Sequence, residues 1–490
     1  MAMKIIQECP NSVVVREIPT DLLMDIFSRV PAKSVARFCC VSKLWESIIC
    51  HPDFAEFYFT MSSCTTTPPR RPPLLFFTLE DDGKLFFFSS PHTPTQKDPH
   101  HENKASLVST RYHVHRKNTP TNYASDVGSP LCGFICHRDR GSPDTIVICN
   151  PATGQSVTLP KVKLKGINTD TRPFLGYDPI GKQLKVLCIK FDMIPNPCYE
   201  HQVLTLEDNG KRLWRTVQCK PHYPKSDGIC IDGTLYYTAG FSPGTRVSII
   251  VCFDVRSEKF SSINIDECML MTYCTLINYN GKLGALQFTS FLRERLGFWV
   301  LQDAEKHIWS RDFYMLPPLP KNKFERTELA IVGMTVGGEV VLAPYCLVDE
   351  FYLYYFNLEC KSLKQVHIQG FEMFKNMRVY TSLEYAENLK LMTEYDTGVD
   401  TFTPERRLFQ VKSATKASKL SEPNLSNKEK AFHGRLFHNR NRERIHLLTD
   451  DGTATNNTFS SKIFDRICLH SDNIPRQSQG LLLEISSFSK

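Results

Sequence analysis

No stretch of this 490-residue chain approaches the ~18 consecutive apolar residues that a membrane-spanning helix needs. The N-terminal MAMKIIQECPNSVVV has one lysine but no continuous apolar core ahead of Glu8 and Pro10, so it does not read as a secretory leader. The expected location is nuclear, cytoplasmic or both, with no membrane partner. A phosphate-binding loop, a dinucleotide fingerprint, an HExxH pair and a nucleophile elbow are all missing. The acidic pairs Asp81-Asp82, Asp349-Glu350 and Asp450-Asp451 fall in turns, in loops or near the C-terminus, where carboxylates are ordinarily solvated. Acid and base work needs two carboxylates at a fixed separation across a cleft, which none of these pairs announces. No catalytic residue is assigned.

Cysteine is not scarce, at 18, yet the paired spacing of a structural zinc site is absent. Cys132, Cys136 and His137 come nearest, and no second pair follows them. Cys149, Cys188, Cys230 and Cys252 sit singly in apolar runs and read as small buried hydrophobes. His113 and His115 share one face of a strand with no carboxylate beside them, so they read as a solvated strand face. No metal and no cofactor are expected.

Net positive charge is also missing from most of the chain. From residue 404 onward there are 15 Lys and Arg against 9 Asp and Glu, which is six of the chain's net +7. That polar stretch has no helical or strand period and is expected to be disordered. Its basic residues are not interleaved with a stacking platform of aromatics, so nucleic acid is not an expected partner.

What is present begins with residues 18–54, IPTDLLMDIFSRVPAKSVARFCCVSKLWESIICHPDF. Leu22, Leu23, Ile26, Phe27 and Val30 recur at helical spacing, with Asp21, Asp25 and Arg29 turned elsewhere. Thr20 is the expected N-cap, and Pro31 cannot continue the helix. A second helix fits residues 33–41, with Val35, Phe38 and Cys39 inward. A third starts at Ser42, carries Leu44, Trp45, Ile48 and Ile49, and breaks at His51-Pro52. A unit this small does not bury all of that apolar surface unaided. Two destinations are open to it: another polypeptide, or the body of the same chain.

Ile18-Pro19, Leu22-Leu23, Ile26-Phe27, Val30-Pro31, Val41-Ser42-Lys43, Trp45 and Pro52-Asp53-Phe54 fall in the order and spacing of the F-box, which this segment resembles over essentially its whole length. Ile18 stands where that motif most often has Leu, and Cys39-Cys40 replaces more polar residues. The resemblance implies docking on a Skp-type adaptor and, through it, on a cullin-RING scaffold, as the substrate receptor of a ubiquitin ligase. On that reading Ile18, Pro19, Leu22, Leu23, Ile26 and Phe27 face the adaptor. Val30, Val35, Phe38, Val41, Trp45 and Ile48 build the three-helix core.

Beyond a Pro, Thr and Ser-rich linker at 61–73 the period changes to short runs rich in Val, Ile, Phe and Tyr, which reverse at Asp-Gly, Asn-Gly or Gly-Lys turns. Residues 174–217, 228–263, 275–313 and 329–368 each hold about four strands at a repeat of roughly 40 to 55 residues, and 132–159 is a fifth unit. Residues 74–90 and 377–392 complete one more between them, which closes a ring and leaves no open sheet edge. Six blades are expected, with seven the alternative. Asn150-Pro151, Thr153-Gly154-Gln155, Gly176-Tyr177-Asp178-Pro179, Trp214, Asp232-Gly233, Leu235-Tyr236, Phe253-Asp254, Phe260 and Gly281-Lys282-Leu283 resemble the plant F-box associated β-propeller, type 3. That family implies a propeller that presents a target protein. Two insertions depart from it, at 91–128, rich in His, Lys and Thr and expected to be a mobile loop, and at 192–200.

The expected fold class is thus α+β and multidomain: a leader at 1–12, a three-helix F-box at 13–60, the linker at 61–73, an all-β propeller at 74–392 and a basic tail at 393–490. The expected mechanism is proximity, which raises the effective concentration of a target lysine near a charged conjugating enzyme. An F-box adaptor acting outside ubiquitin transfer and a propeller enzyme are the alternatives.

Overall fold

The computed structural model describes residues 18–62, 74–91, 105–116, 125–164, 169–192, 199–206, 213–241, 249–318 apart from 267, 270–273 and 291–292, and 329–392 apart from 349 and 391. The leader, most of the linker, the turn at 207–212, the middle of the insertion at 192–200 and the tail lie outside the described residues. Those described fall into two compact units, 18–54 and 55–392.

Helix α1 spans Thr20–Ser28, α2 Ala32–Phe38, α3 Lys43–Ile49 and α4 Pro52–Ser62. Pro19, not Thr20, holds the N-cap of α1, and no side chain caps it. Pro31 plays the same part for α2, because its fixed φ suits a helix entrance and its missing N–H would be unpaired there anyway. Ser42 caps α3, its hydroxyl accepting from Trp45 N at 3.1 Å. Pro52, expected to break the third helix, opens a fourth, of which only a turn at residues 57–59 was expected. His51 prepares that start, its Nδ1 accepting from Asp53 N at 3.3 Å.

The second unit is built on six sheets in a ring, antiparallel except for one outermost pair. Asp82-Gly83, Asp232-Gly233 and Asn280-Gly281 each place two successive residues at positive φ, the geometry of a tight hairpin that matches strand twist. At the turn after Thr169–Asp178 the burden moves to Lys182, at φ 53. A Cβ on Gly181 would lie 2.5 Å from Asp178 Oδ2, so glycine is needed there for closeness. The ring closes as expected: Met377–Tyr385 pairs with Leu74–Asp81, with Leu79 opposite Val379 and Phe77 opposite Thr381.

Every seam between neighbouring blades holds an apolar cluster. Ile148 meets Leu175 and Val186 in one, Val203 meets Tyr237 and Phe253 in the next, and Leu79 meets Val341 and Leu353 where the ring closes. Both faces of each inner sheet are therefore covered, which is why the strands read as continuous apolar runs. Cys149, Cys188 and Cys252 fill these seams as expected, whereas Cys230 is half-buried.

One expectation fails. The insertion at 91–128 is not simply a loop: Thr110–Arg116 is the outer strand of the closing blade, paired with Lys84–Pro91, and Ala105–Val108 runs parallel to Leu363–Gln369. Its polar composition reflects an outermost strand, which has only one neighbour in its sheet.

Candidate functional site

The first unit is organised on aromatic contacts. Phe27 of α1 lies 4.8 Å from Trp45 of α3, 5.4 Å from Phe38 of α2 and 6.3 Å from Phe54, ring centre to ring centre. Phe38 and Trp45 meet edge to face at 5.4 Å. These arrangements match the quadrupoles of the rings and add to the burial term. Val30, Val35, Phe38, Trp45 and Ile48 are buried, and Val41 is half-buried. Ile49 and Phe54 complete that core.

The six residues expected to face an adaptor divide. Leu22 is 55% exposed and Pro19 is exposed, while Ile18 and Ile26 are half-buried. Leu23 at 2% and Phe27 at 0% are core residues, which corrects their assignment to the outer face. Successive helical residues differ by about 100° in direction, so Leu22 and Leu23 cannot share one fate. Leu44, one of the apolar residues on the third helix, is 51% exposed, an outward residue that the periodicity of a seven-residue helix did not single out. The Asp25–Arg29 ion pair at 2.6 Å lies on α1 itself.

Helix α4 carries side chains of the second unit. Tyr58 is fully buried, and its hydroxyl donates to Glu387 Oε2 at 2.8 Å. Tyr112 donates to the other oxygen of the same carboxylate. Glu56 pairs with Lys182, in the turn after the inner strand Thr169–Asp178. The residues behind the propeller resemblance do structural work nearby. Asn150 Oδ1 accepts from Ala152 N at 3.0 Å, and its Nδ2 donates to Asn388 O at 3.0 Å and Lys390 O at 3.1 Å. Trp214 Nε1 donates to Pro160 O at 2.7 Å. Arg138, nearly buried, bridges Asp126 and Asp170. Burial pushes the Asp126 carboxyl up, but hydrogen bonds from Arg140 and Arg138 outweigh it and hold the group below the usual carboxylate range.

The cysteine and histidine residues regroup. Cys136 points into the seam with Leu175 and Val186, away from His137. His137 instead meets His115 and Cys149. His115 is not on a solvated face, since burial, with His113 adding to it, lowers its ring to about 4. A second such group, His201 with Cys219 and His222, was not legible in the sequence.

Residues 74–386 match the F-box associated beta propeller domain, and residues 16–57 match the F-box domain. The chain belongs to the F-box proteins. F-box protein At1g53790 of Arabidopsis thaliana is 68% identical over 378 residues, covering 77% of this chain and 82% of that one. F-box protein At5g65850 of Arabidopsis thaliana is 41% identical over 387 residues, covering 77% and 91%. F-box protein DOR, also of Arabidopsis thaliana, is 41% identical over 387 residues, covering 76% and 94%. This F-box protein is therefore similar to such relatives through both units, the helical one and the propeller.

Proposed function

We propose that this F-box protein is the substrate receptor of a Skp-cullin-F-box ubiquitin ligase, docking the adaptor through α1 and holding its target on the propeller. The observation that carries the reading is the division of α1. Its Leu23 and Phe27 are used up by the core, while Leu22, Pro19, Ile18 and Ile26 keep apolar atoms at the surface. A lone exposed leucine needs no explanation, but a leucine, a proline and two isoleucines within nine residues form the kind of face that a helix-binding groove recognises. F-box domains generally bind Skp-type adaptors, and that class of groove fits.

The target side follows from strand direction. Glu56 and Tyr58 meet the propeller where its inner strands end, at Lys182 and Glu387. Phe241, Tyr345 and Met373 lie at the opposite ends of the antiparallel strands and are 59%, 40% and 72% exposed. The exposed apolar side chains of that second face are the ones offered to a target protein. The mechanism is proximity, with no bond-making group contributed by this chain.

The test is adaptor binding by the Leu22→Ala, Ile26→Ala double variant. Central apolar anchors cost about 2 kcal/mol each when truncated, and ~1.4 kcal/mol is a factor of ten, so affinity should fall by well over tenfold. Unchanged adaptor affinity would sink the reading. Recovery of the adaptor without a cullin would favour a role outside ubiquitin transfer.

A further inference from the structure

Between the third and fourth blades, three metal-ligating side chains meet at a point the receptor function does not use. His201 comes from the strand Tyr199–Leu206, and Cys219 and His222 come from the connection leading into the fourth blade. His201 and His222 are each 2% exposed, and Cys219 is half-buried. The donor atoms of the three residues lie within 4.8 Å of one another.

The hydrogen bonding around His222 leaves a conflict. Its Nδ1 lies 2.8 Å from Lys220 O and must carry the proton, since a carbonyl only accepts. Its Nε2 then offers one lone pair. Two neighbours approach that nitrogen: the Tyr237 hydroxyl at 2.7 Å and His201 Nε2 at 3.3 Å. Tyr237 can use the lone pair, and His201 is then left with either an N–H aimed at an occupied acceptor or a lone pair aimed at a lone pair.

A cation between the two rings removes the conflict. Zinc binds imidazole nitrogen at about 2.0–2.1 Å, which in a tetrahedron sets two nitrogens about 3.3–3.4 Å apart. The separation of His201 Nε2 and His222 Nε2 is 3.3 Å. The Lys220 carbonyl on Nδ1 is the outer partner that fixes the tautomer of a ligating histidine and turns its other nitrogen to the metal. Two imidazoles and a thiolate are a donor set of borderline softness that suits zinc over magnesium or calcium.

We propose that His201, His222 and Cys219 form a zinc site that ties the third blade to the fourth, with the fourth coordination position bordered by Tyr237. Cys219 Sγ lies 3.7 Å from His222 Nδ1, the nitrogen that faces Lys220 O, so it joins a cation at the Nε2 pair only by turning toward that pair, to the about 3.6 Å that nitrogen and sulfur ligands on one zinc keep. A thiol binds a metal as thiolate and an imidazole as its neutral form, so protons compete with the cation and binding weakens as pH falls.

The cluster of His115, His137 and Cys149, in the seam between the closing and second blades, has the same donor types and serves as the internal control. The full chain, stripped by a chelator, is titrated with Co2+ as a spectroscopic stand-in for zinc, then with Zn2+ in competition. The expected result is intense tetrahedral cobalt absorption with a thiolate charge-transfer band, displaced by zinc. Cys219→Ser should abolish that band, and Cys219→Ser and His222→Gln should each weaken binding by about tenfold or more, at least the loss typical of an outer-shell partner. His137→Gln should leave the spectrum unchanged. Cys219 is half-buried and serine nearly isosteric, so this variant keeps the fold, which its thermal midpoint without metal verifies. No tetrahedral spectrum, or one that survives Cys219→Ser and vanishes in His137→Gln, overturns the proposal.

Discussion

The hydroxyl of Tyr58 donates to the carboxylate of Glu387 at 2.8 Å, across 329 positions of sequence. This bond joins α4 to the segment that follows the last propeller strand. Both residues are buried, at 0% and 4% exposure, so the carboxylate depends on its donors. A hydrogen bond to a charged group contributes about 1.5–3 kcal/mol. Tyr58→Phe should lower the thermal midpoint of the propeller by several degrees while its ring still fills its place. An unchanged midpoint would show the bond to be dispensable.

The propeller is expected to need its chain beyond the last strand. Residues 388–392 are tied back to the second blade: Asn388 Nδ2 to Cys132 O at 2.8 Å, Asn150 to the carbonyls of Asn388 and Lys390, and Met392 N to Gln155 Oε1 at 3.0 Å. A chain ending at 392 should melt with the full-length protein. One ending at 386 leaves Asn150 buried without these acceptors, at about 1–3 kcal/mol per orphaned group, and should melt measurably lower. Ending near Gly370 removes Met377–Tyr385 altogether, which opens the ring and should give insoluble protein through exposed sheet edges. Equal midpoints for chains ending at 386 and 392 would refute the anchoring role.

Two positions on α1, one exposed and one buried, should behave oppositely. Phe27→Ala empties the centre of the aromatic cluster and costs about 3–5 kcal/mol, more than so small a unit can lose. Limited proteolysis should then cut within residues 18–54. Leu22→Ala changes an exposed position, where effects stay within about 0.5 kcal/mol, and should leave that region protected. Equal protection in both variants would refute the division of α1.

Stability should fall on mild acidification through His115. Its folded-state ring is lowered by burial, chiefly, and by His113, from 6.5 to about 4. The unfolded chain therefore takes up a proton near 6.5 that the folded chain refuses. The contribution is fully present above that value and is lost as pH falls toward 4, by at most about 3 kcal/mol at 1.36 kcal/mol per unit. Urea midpoints across this window should drop more steeply for the natural chain than for His115→Gln. Parallel profiles would show that His115 is not the group responsible.

Much of this molecule follows from local chemistry that a sequence carries openly. Asp232-Gly233 and Asn280-Gly281 announce hairpins because the backbone there needs positive φ, and four hairpin-linked strands per repeat announce blades. The helices of the F-box follow from apolar spacing and from Ser42 as a cap. Closure of the ring by Met377–Tyr385 was legible because two unpaired strand groups at the chain's extremes had no other partner. Tertiary structure alone decided which apolar residues turn inward. Leu22 and Leu23 are the same residue one position apart, and only the placement of Phe38, Trp45 and Phe54 around Phe27 makes one of them core and the other surface. It alone turned the polar segment at 110–116 into a strand, because its backbone pairs with Lys84–Pro91 while His115 turns inward and Tyr112 reaches Glu387. It alone brought His201 to Cys219 and His222, since the strand that carries the first and the connection that carries the other two meet only when two blades pack.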